Sequence, residues 1–198
     1  APALTVAVPL EGAALGLDWF ANEGGTAGSA SDGSKAVVVT VDVGAGPTEA
    51  VLQGGLFTVG WASPAGEVWV AHTVRVVATD LAGNRTELER SVDVDVVPPV
   101  LSMLAPLQGA LLGPRFFDAG GHVEGLVSPD AQVTFDAQPA VVAGSQWTAS
   151  LSPQPTEDHV SRMIEVGATD RAGNQTRVTT SVVIDVVAPR LTFTSPAA

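Results

Sequence analysis

The sequence predicts an all-β chain: two tandem β-sandwich modules arranged end to end, followed by the first strand of a truncated third module. Three observations lead there. Val- and Thr-rich segments alternate with turns drawn from 21 Gly and 14 Pro, and β-branched side chains suit a pleated surface that Gly and Pro interrupt. A 26-residue stretch recurs at an offset of 90 with 14 identical positions. The residues that open each module recur as well.

The long repeat is VRVVATDLAGNRTELERSVDVDVVPP from Val74 and IEVGATDRAGNQTRVTTSVVIDVVAP from Ile164. Gap-free self-similarity of this kind marks an array of duplicated units. The openings PALTVAVPLEGAALG from Pro2 and PVLSMLAPLQGALLG from Pro99 match, and PRLTFTSP starts the same way at Pro189, with a second proline at Pro9, Pro106 and Pro196. The modules therefore run over 1–97 and 98–187, and 188–198 reads as a linker and the start of a third. The first module is seven residues longer than the second. Matching Gly24-Gly25 with Gly120-Gly121, 39–42 with 133–136 and Phe57 with Trp147 places most of the excess in loops of the middle strands, where insertions are tolerated.

Each module has the size and the frequent turn signals of an immunoglobulin-type sandwich. Strands are expected at 4–8, 36–42, 50–53, 57–61, 73–79 and 86–94, then at 101–104, 122–127, 132–136, 140–142, 146–151, 163–169 and 175–184. Trp19-Phe20 recurs as Phe116-Phe117 and Phe57 as Trp147, so these aromatics belong to the core. Trp61 and Trp69 have no aromatic counterparts. Each is expected to be buried by packing or to form an exposed platform for a sugar ring.

In both modules a strand ends in Ala-Thr-Asp, turns through Ala-Gly-Asn and resumes after Thr. Asp80 and Asp170 can accept from backbone amides a few residues on, and Gly83-Asn84 and Gly173-Asn174 tolerate positive φ. Such a hairpin reverses the chain and fixes its register. The next strand runs to Asp95-Val-Val-Pro-Pro or Asp185-Val-Val-Ala-Pro, where proline removes a ladder donor.

The pattern ATDxAGNxT, an alternating strand, then DxxxP resembles the bacterial immunoglobulin-like repeats of large surface proteins and adhesins. The resemblance covers both modules and the third start. Many relatives have Asp-Thr-Thr-Ala-Pro in the linker, where this chain has Val96-Val97 and Val186-Val187. It implies a non-catalytic, extracellular or cell-surface protein of the bacterial envelope, with neighbouring modules of the same chain as partners. Some such arrays are stiffened by calcium, which takes oxygen ligands. The candidate ligands are Asp80, Asn84, Asp93, Asp95, Asp170, Asn174 and Asp185, and Val183 replaces Asp93 in the second copy. The expectation is that these side chains cap turns and solvate a junction, with no cofactor, and calcium binding is the alternative.

Other readings are weaker. Asn84-Arg-Thr86 and Asn174-Gln-Thr176 match the N-glycosylation acceptor, but the turn already requires those residues. His72, His122 and His159 are the only histidines and show no zinc-protease spacing. His122 and Glu124 share a strand face without a third ligand, and the serines near Gly28 lack a nucleophile elbow. Cysteine is absent and the net charge is -12 with one lysine, Lys35. The charge argues against nucleic acid or an anionic membrane as partner, and no apolar run reaches the roughly 20 residues of a membrane span. The expected function is a structural spacer. The alternatives are a glycan- or protein-binding module that uses the longer loops 32–35 and 44–55 with Trp61 or Trp69, and accessory domains of a larger secreted enzyme or surface motility or secretion machine.

Overall fold

A computed structural model of the chain describes residues 1–22, 24–33 and 35–192. They divide into two compact units: Ala1–Pro98 with Arg171–Asn174, and Pro99–Asp170 with the chain from Gln175 onward.

The first unit comprises β1 (Ala3–Val8), β2 (Ala13–Leu15), the helical turn α1 (Leu17–Asn22), β3 (Gly25–Ser31), β4 (Val37–Asp42), β5 (Thr48–Ala50), β6 (Leu56–Gly60), β7 (Val70–Asp80) and β8 (Arg85–Val94). One sheet is ordered β1-β3-β6, the other β2-β8-β7-β4-β5. Alternation puts Val39 and Val41 of β4, Val74 and Val76 of β7, and Val92 and Val94 of β8 between the sheets with Phe57. Complete burial of each such valine contributes about 1.5–3 kcal/mol.

The second unit repeats the plan with β9 (Leu101–Ala105), β10 (Leu111–Leu112), α2 (Pro114–Asp118), β11 (His122–Val127), β12 (Gln132–Phe135), β13 (Gln138–Pro139), β14 (Val141–Ala143), β15 (Gln146–Ser150), β16 (Val160–Thr169) and β17 (Gln175–Ile184). Its sheets are β14-β15-β11-β9 and β10-β17-β16-β12-β13. Trp147, Ile164, Val166, Val182 and Ile184 fill its core.

The sequence reading missed β3, β2, β10 and the two-residue β13. The β3 sequence GTAGSAS has no bulky strand former, yet it pairs with β1 and β6. Its glycine is there for room: a Cβ on Gly28 would lie 2.1 Å from the Thr5 carbonyl oxygen and 2.7 Å from the Phe57 ring. Gly125 faces Trp147 in the same way, with 1.9 Å to the Ser102 oxygen and 2.6 Å to the indole nitrogen. The indole N–H donates to that same Ser102 oxygen at 3.0 Å. The core aromatic expected at 57 and 147 therefore requires a glycine across the ladder.

Pairing also corrects the glycine alignment. Gly25 faces Gly60 and His122 faces Ser150, so Gly24 corresponds to Gly121, one residue from the expected match. Thr26 then stands where the second module has Val123. From the same registers the extra residues of the first module fall between β3 and β4 and between β4 and β5. Trp19-Phe20 and Phe116-Phe117 sit half-buried on α1 and α2 and pack against their cores. The strand expected at 50–53 is β5, over Thr48–Ala50, where pairing to β4 takes the chain instead. Residues 188–192 form no strand, and 193–198, including Pro196, lie outside the described residues.

Candidate functional site

The repeated hairpin turn is held by its aspartate. Asp80 Oδ1 accepts the backbone N–H groups of Ala82 at 2.9 Å and Asn84 at 2.8 Å, and Oδ2 accepts the Asn84 side-chain amide at 2.8 Å. Gly83 takes φ of 84° and its N–H donates to the Asp80 carbonyl at 3.0 Å. The Asn84 amide, ahead of the two backbone donors, holds the Asp80 carboxyl below its ordinary value, because each of these bonds favours the charged form.

The threonine that closes the motif has a role the sequence did not reveal. Thr86 Oγ1 donates to the Pro2 carbonyl at 2.6 Å, and Thr176 Oγ1 donates to the Pro99 carbonyl at 2.6 Å. In each module the hydroxyl ties the incoming chain to the last strand. The sequence signal was present: Thr and Pro recur together in both copies, but nothing in a linear repeat says that they touch.

At the opposite end of the β7–β8 hairpin, Val70 pairs with Val94. Asp95 is 3% exposed, its N–H donates to the Leu15 carbonyl at 3.1 Å, and its Oδ1 accepts the Val97 N–H at 3.1 Å. Asp93 is exposed on β8. The structure thus separates the first module's calcium candidates: Asp80 and Asn84 lie at one end of the hairpin, Asp93 and Asp95 at the other. In the second copy Asp170 is half-buried, Asn174 is 3% exposed, and Asp185 donates its N–H to Leu112 at 3.0 Å while its carboxylate lies 4.0 Å from His159 Nδ1. Among the described residues no group of three or more His, Asp or Glu side chains is arranged to hold a metal ion.

The two unmatched tryptophans have different fates. Trp61 packs edge-on against Trp19, Phe20 and His72, with ring centroids 5.9, 5.5 and 5.5 Å away. His72 Nε2 lies 2.7 Å from Glu67 Oε2. Trp69 is 41% exposed beside exposed Val68 and Val70. It directly precedes β7, whereas Lys35 leads into β4, whose Val37 faces Asp80 at the far end of β7. Trp61 likewise follows β6 at the Gly24 end of β3, with its backbone N–H on the Gly24 carbonyl, whereas Asp32 follows the other end of β3. The grouping of either tryptophan with the 32–35 loop is therefore corrected. Ser29, in the serine-rich stretch, lies within β3 and shares a 2.8 Å hydrogen bond with Thr5.

In both modules a short early strand runs parallel to the last one. β2 pairs with β8 and β10 with β17, and Gly12 and Gly109 extend these ladders by donating to the Ser91 and Ser181 carbonyls at 2.8 and 2.7 Å. A family model described as bacterial Ig-like domain matches residues 29–96 and 121–186. The chain belongs to the bacterial Ig-like domain family. Each match covers the middle and late strands of one Ig-like module. No curated protein matches the chain.

Among solved structures, the fibronectin(III)-like modules of Clostridium thermocellum CbhA are similar at 16% identity and TM-score 0.47, over 99% of this chain and 100% of that one. A structure concerned with host cell surface retention of a 1.5-MDa bacterial ice-binding adhesin is similar at 16% identity and TM-score 0.39, over 95% and 66%. A Ca2+-stabilized adhesin of an Antarctic bacterium is similar at 18% identity and TM-score 0.36, over 88% of this chain and 47% of that one. These likenesses concern the sandwich fold. Among the described residues no helix is long and apolar enough to cross a membrane.

Proposed function

We propose that the two Ig-like modules are a non-catalytic, tension-bearing spacer of a bacterial cell-surface or secreted multi-module protein. The parallel pairing of each module's early strand with its last strand carries this reading. The chain enters the first module beside Thr86, at one end of β8, and leaves past Val94 at the other. Tension along the chain therefore pulls β2 and β8 in opposite directions along their common axis. All rungs of the ladder resist together, whereas a strand peeled from its end loses them one at a time. The second module repeats the arrangement through Thr176 and Ile184. An acidic surface with a net charge of -12 suits an exposed position and is solubilising.

The test replaces both modules, within the full-length protein, by unrelated folded domains of similar length. A spacer predicts that surface display and attachment persist. Loss of attachment, with display intact, overturns the reading.

A second reading, recognition of a glycan or protein, is favoured by one observation, the exposed Trp69 next to Val68 and Val70. Indole faces hold sugar rings by their apolar surface. Quenching of tryptophan fluorescence by soluble oligosaccharides, abolished by Trp69→Ala, would support it.

A further inference from the structure

The hairpins β7–β8 and β16–β17 are so alike that each strand could pair with the other module's partner. Both are paired over ten facing positions, and both turn through Ala-Gly-Asn. Their buried faces match: Val74 with Ile164, Val76 with Val166, Ala78 with Ala168, Val92 with Val182 and Val94 with Ile184. The core thus barely distinguishes the right strand from the wrong one. Tethering two such units in one chain raises their mutual concentration to roughly millimolar, and strand exchange is a characteristic failure of repeat proteins.

The solvent faces differ at several positions, among them Val77 against Gly167, Glu89 against Thr179 and Asp93 against Val183. One such difference bears on a cross-strand ion pair that both modules keep. In the first module the cation is on the earlier strand: Arg75 donates from Nη2 to Glu87 Oε2 at 2.8 Å, pairs through Nε with Oε1, and lies 3.9 Å from Glu89. In the second module the cation is on the later strand, and Arg177 Nη1 donates to Glu165 Oε1 at 2.8 Å. Arg75 and Glu165 are equivalent positions, as are Glu87 and Arg177. The pair is retained with its polarity inverted.

We propose that this inversion keeps the two Ig-like modules from exchanging hairpin strands. In the native registers Arg75 faces Glu89 and Glu165 faces Thr179. Pairing β16 with β8 in the same register sets Glu165 directly opposite Glu89, with Glu87 diagonal to it. Pairing β7 with β17 sets Arg75 diagonal to Arg177. Like charges across a ladder are destabilising, so both hybrid hairpins lose an attractive pair and gain a repulsive one. Exposed pairs add little to native stability. Here their effect is on the choice of partner, where it counts in both hybrids.

The test is the double variant Glu165→Arg/Arg177→Glu, which gives the second module the polarity of the first. Full-length chains are refolded from urea at low ionic strength. Exchanged molecules are counted as a separate unfolding phase in double-jump kinetics and as dimers in size exclusion. The expected result is an exchanged fraction about fivefold or more above wild type, with an unchanged melting temperature. In about 1 M salt, where screening reaches about 3 Å, the difference should close. Adding Arg75→Glu, Glu87→Arg and Glu89→Thr inverts the first module too and should restore fidelity. An exchanged fraction equal in wild type and the double variant at low salt, including none in either, overturns the proposal, as does failure of the fully inverted chain to recover.

Discussion

Asp80 Oδ2 lies 2.8 Å from the Asn84 side-chain nitrogen, and this bond makes the hairpin turn of the first module sensitive to protonation. The Asp80 carboxyl is held below its ordinary value chiefly by the Asn84 amide. A folded value below the unfolded one means that the contribution to stability is complete above the unfolded value of about 3.9 and is lost as pH falls through the folded one. Glu87, held down by its hydrogen bond to Arg75, works in the same direction. Urea denaturation between pH 7 and pH 2.5 should show stability declining below about pH 4, and Asp80→Asn should flatten part of that decline. An unaltered acid profile in the variant would count against the turn as its source.

Thr26 is fully buried and its hydroxyl has no hydrogen-bond partner among the described residues. The equivalent residue of the second module is Val123, also fully buried. Thr26→Val replaces the hydroxyl with a methyl of similar shape and should stabilise the first module by about 1–3 kcal/mol. Chemical denaturation reads this as a higher midpoint with an unchanged slope. A neutral or lower midpoint would mean that the hydroxyl is satisfied in solution.

Gly28→Ala and Gly125→Ala should each destabilise their own module by about 3 kcal/mol or more, since the added methyl collides with backbone oxygen as well as with a core ring. The contacts, 2.1 Å to the Thr5 oxygen and 1.9 Å to the Ser102 oxygen, leave no soft neighbour to yield. Melting should resolve one shifted transition per variant. Wild-type melting in either case would refute the glycine–aromatic pairing.

Thr86→Val and Thr176→Val remove the bonds to the Pro2 and Pro99 carbonyls, and each should cost about 1 kcal/mol. Faster amide exchange in the first strand of the affected module, with its core amides unchanged, is the corresponding local signature.

The sequence revealed most where a residue's role is local. Alternation located β4, β7, β8 and β11, and the Asp-x-Ala-Gly-Asn turn announced its own hydrogen bonds. It failed where a role depends on what lies across the sheet. β3 was invisible because Gly28 and its small neighbours are chosen to fit Phe57, a non-local partner. β2 and β10 were too short to show a period and exist only because β8 and β17 offer an edge. Asp80 and Asp95 are both acidic candidates along the chain, and only the length of β8 between them shows that they lie at opposite ends of the hairpin. The polarity of Arg75–Glu87 against Glu165–Arg177 was written in the repeat, and acquired meaning only once the strands were seen to pair.

The most direct test of the spacer account is single-molecule pulling in two geometries. The chain has no cysteine, so pairs of introduced thiols define the points of load. End-to-end pulling shears β2 against β8 and β10 against β17. Pulling between Ala71→Cys and Asp93→Cys, which face each other near the open end of the β7–β8 hairpin, unzips that hairpin. The account requires the first module to withstand a clearly higher force end to end than when unzipped, and unfolding at equal or lower force end to end would contradict it.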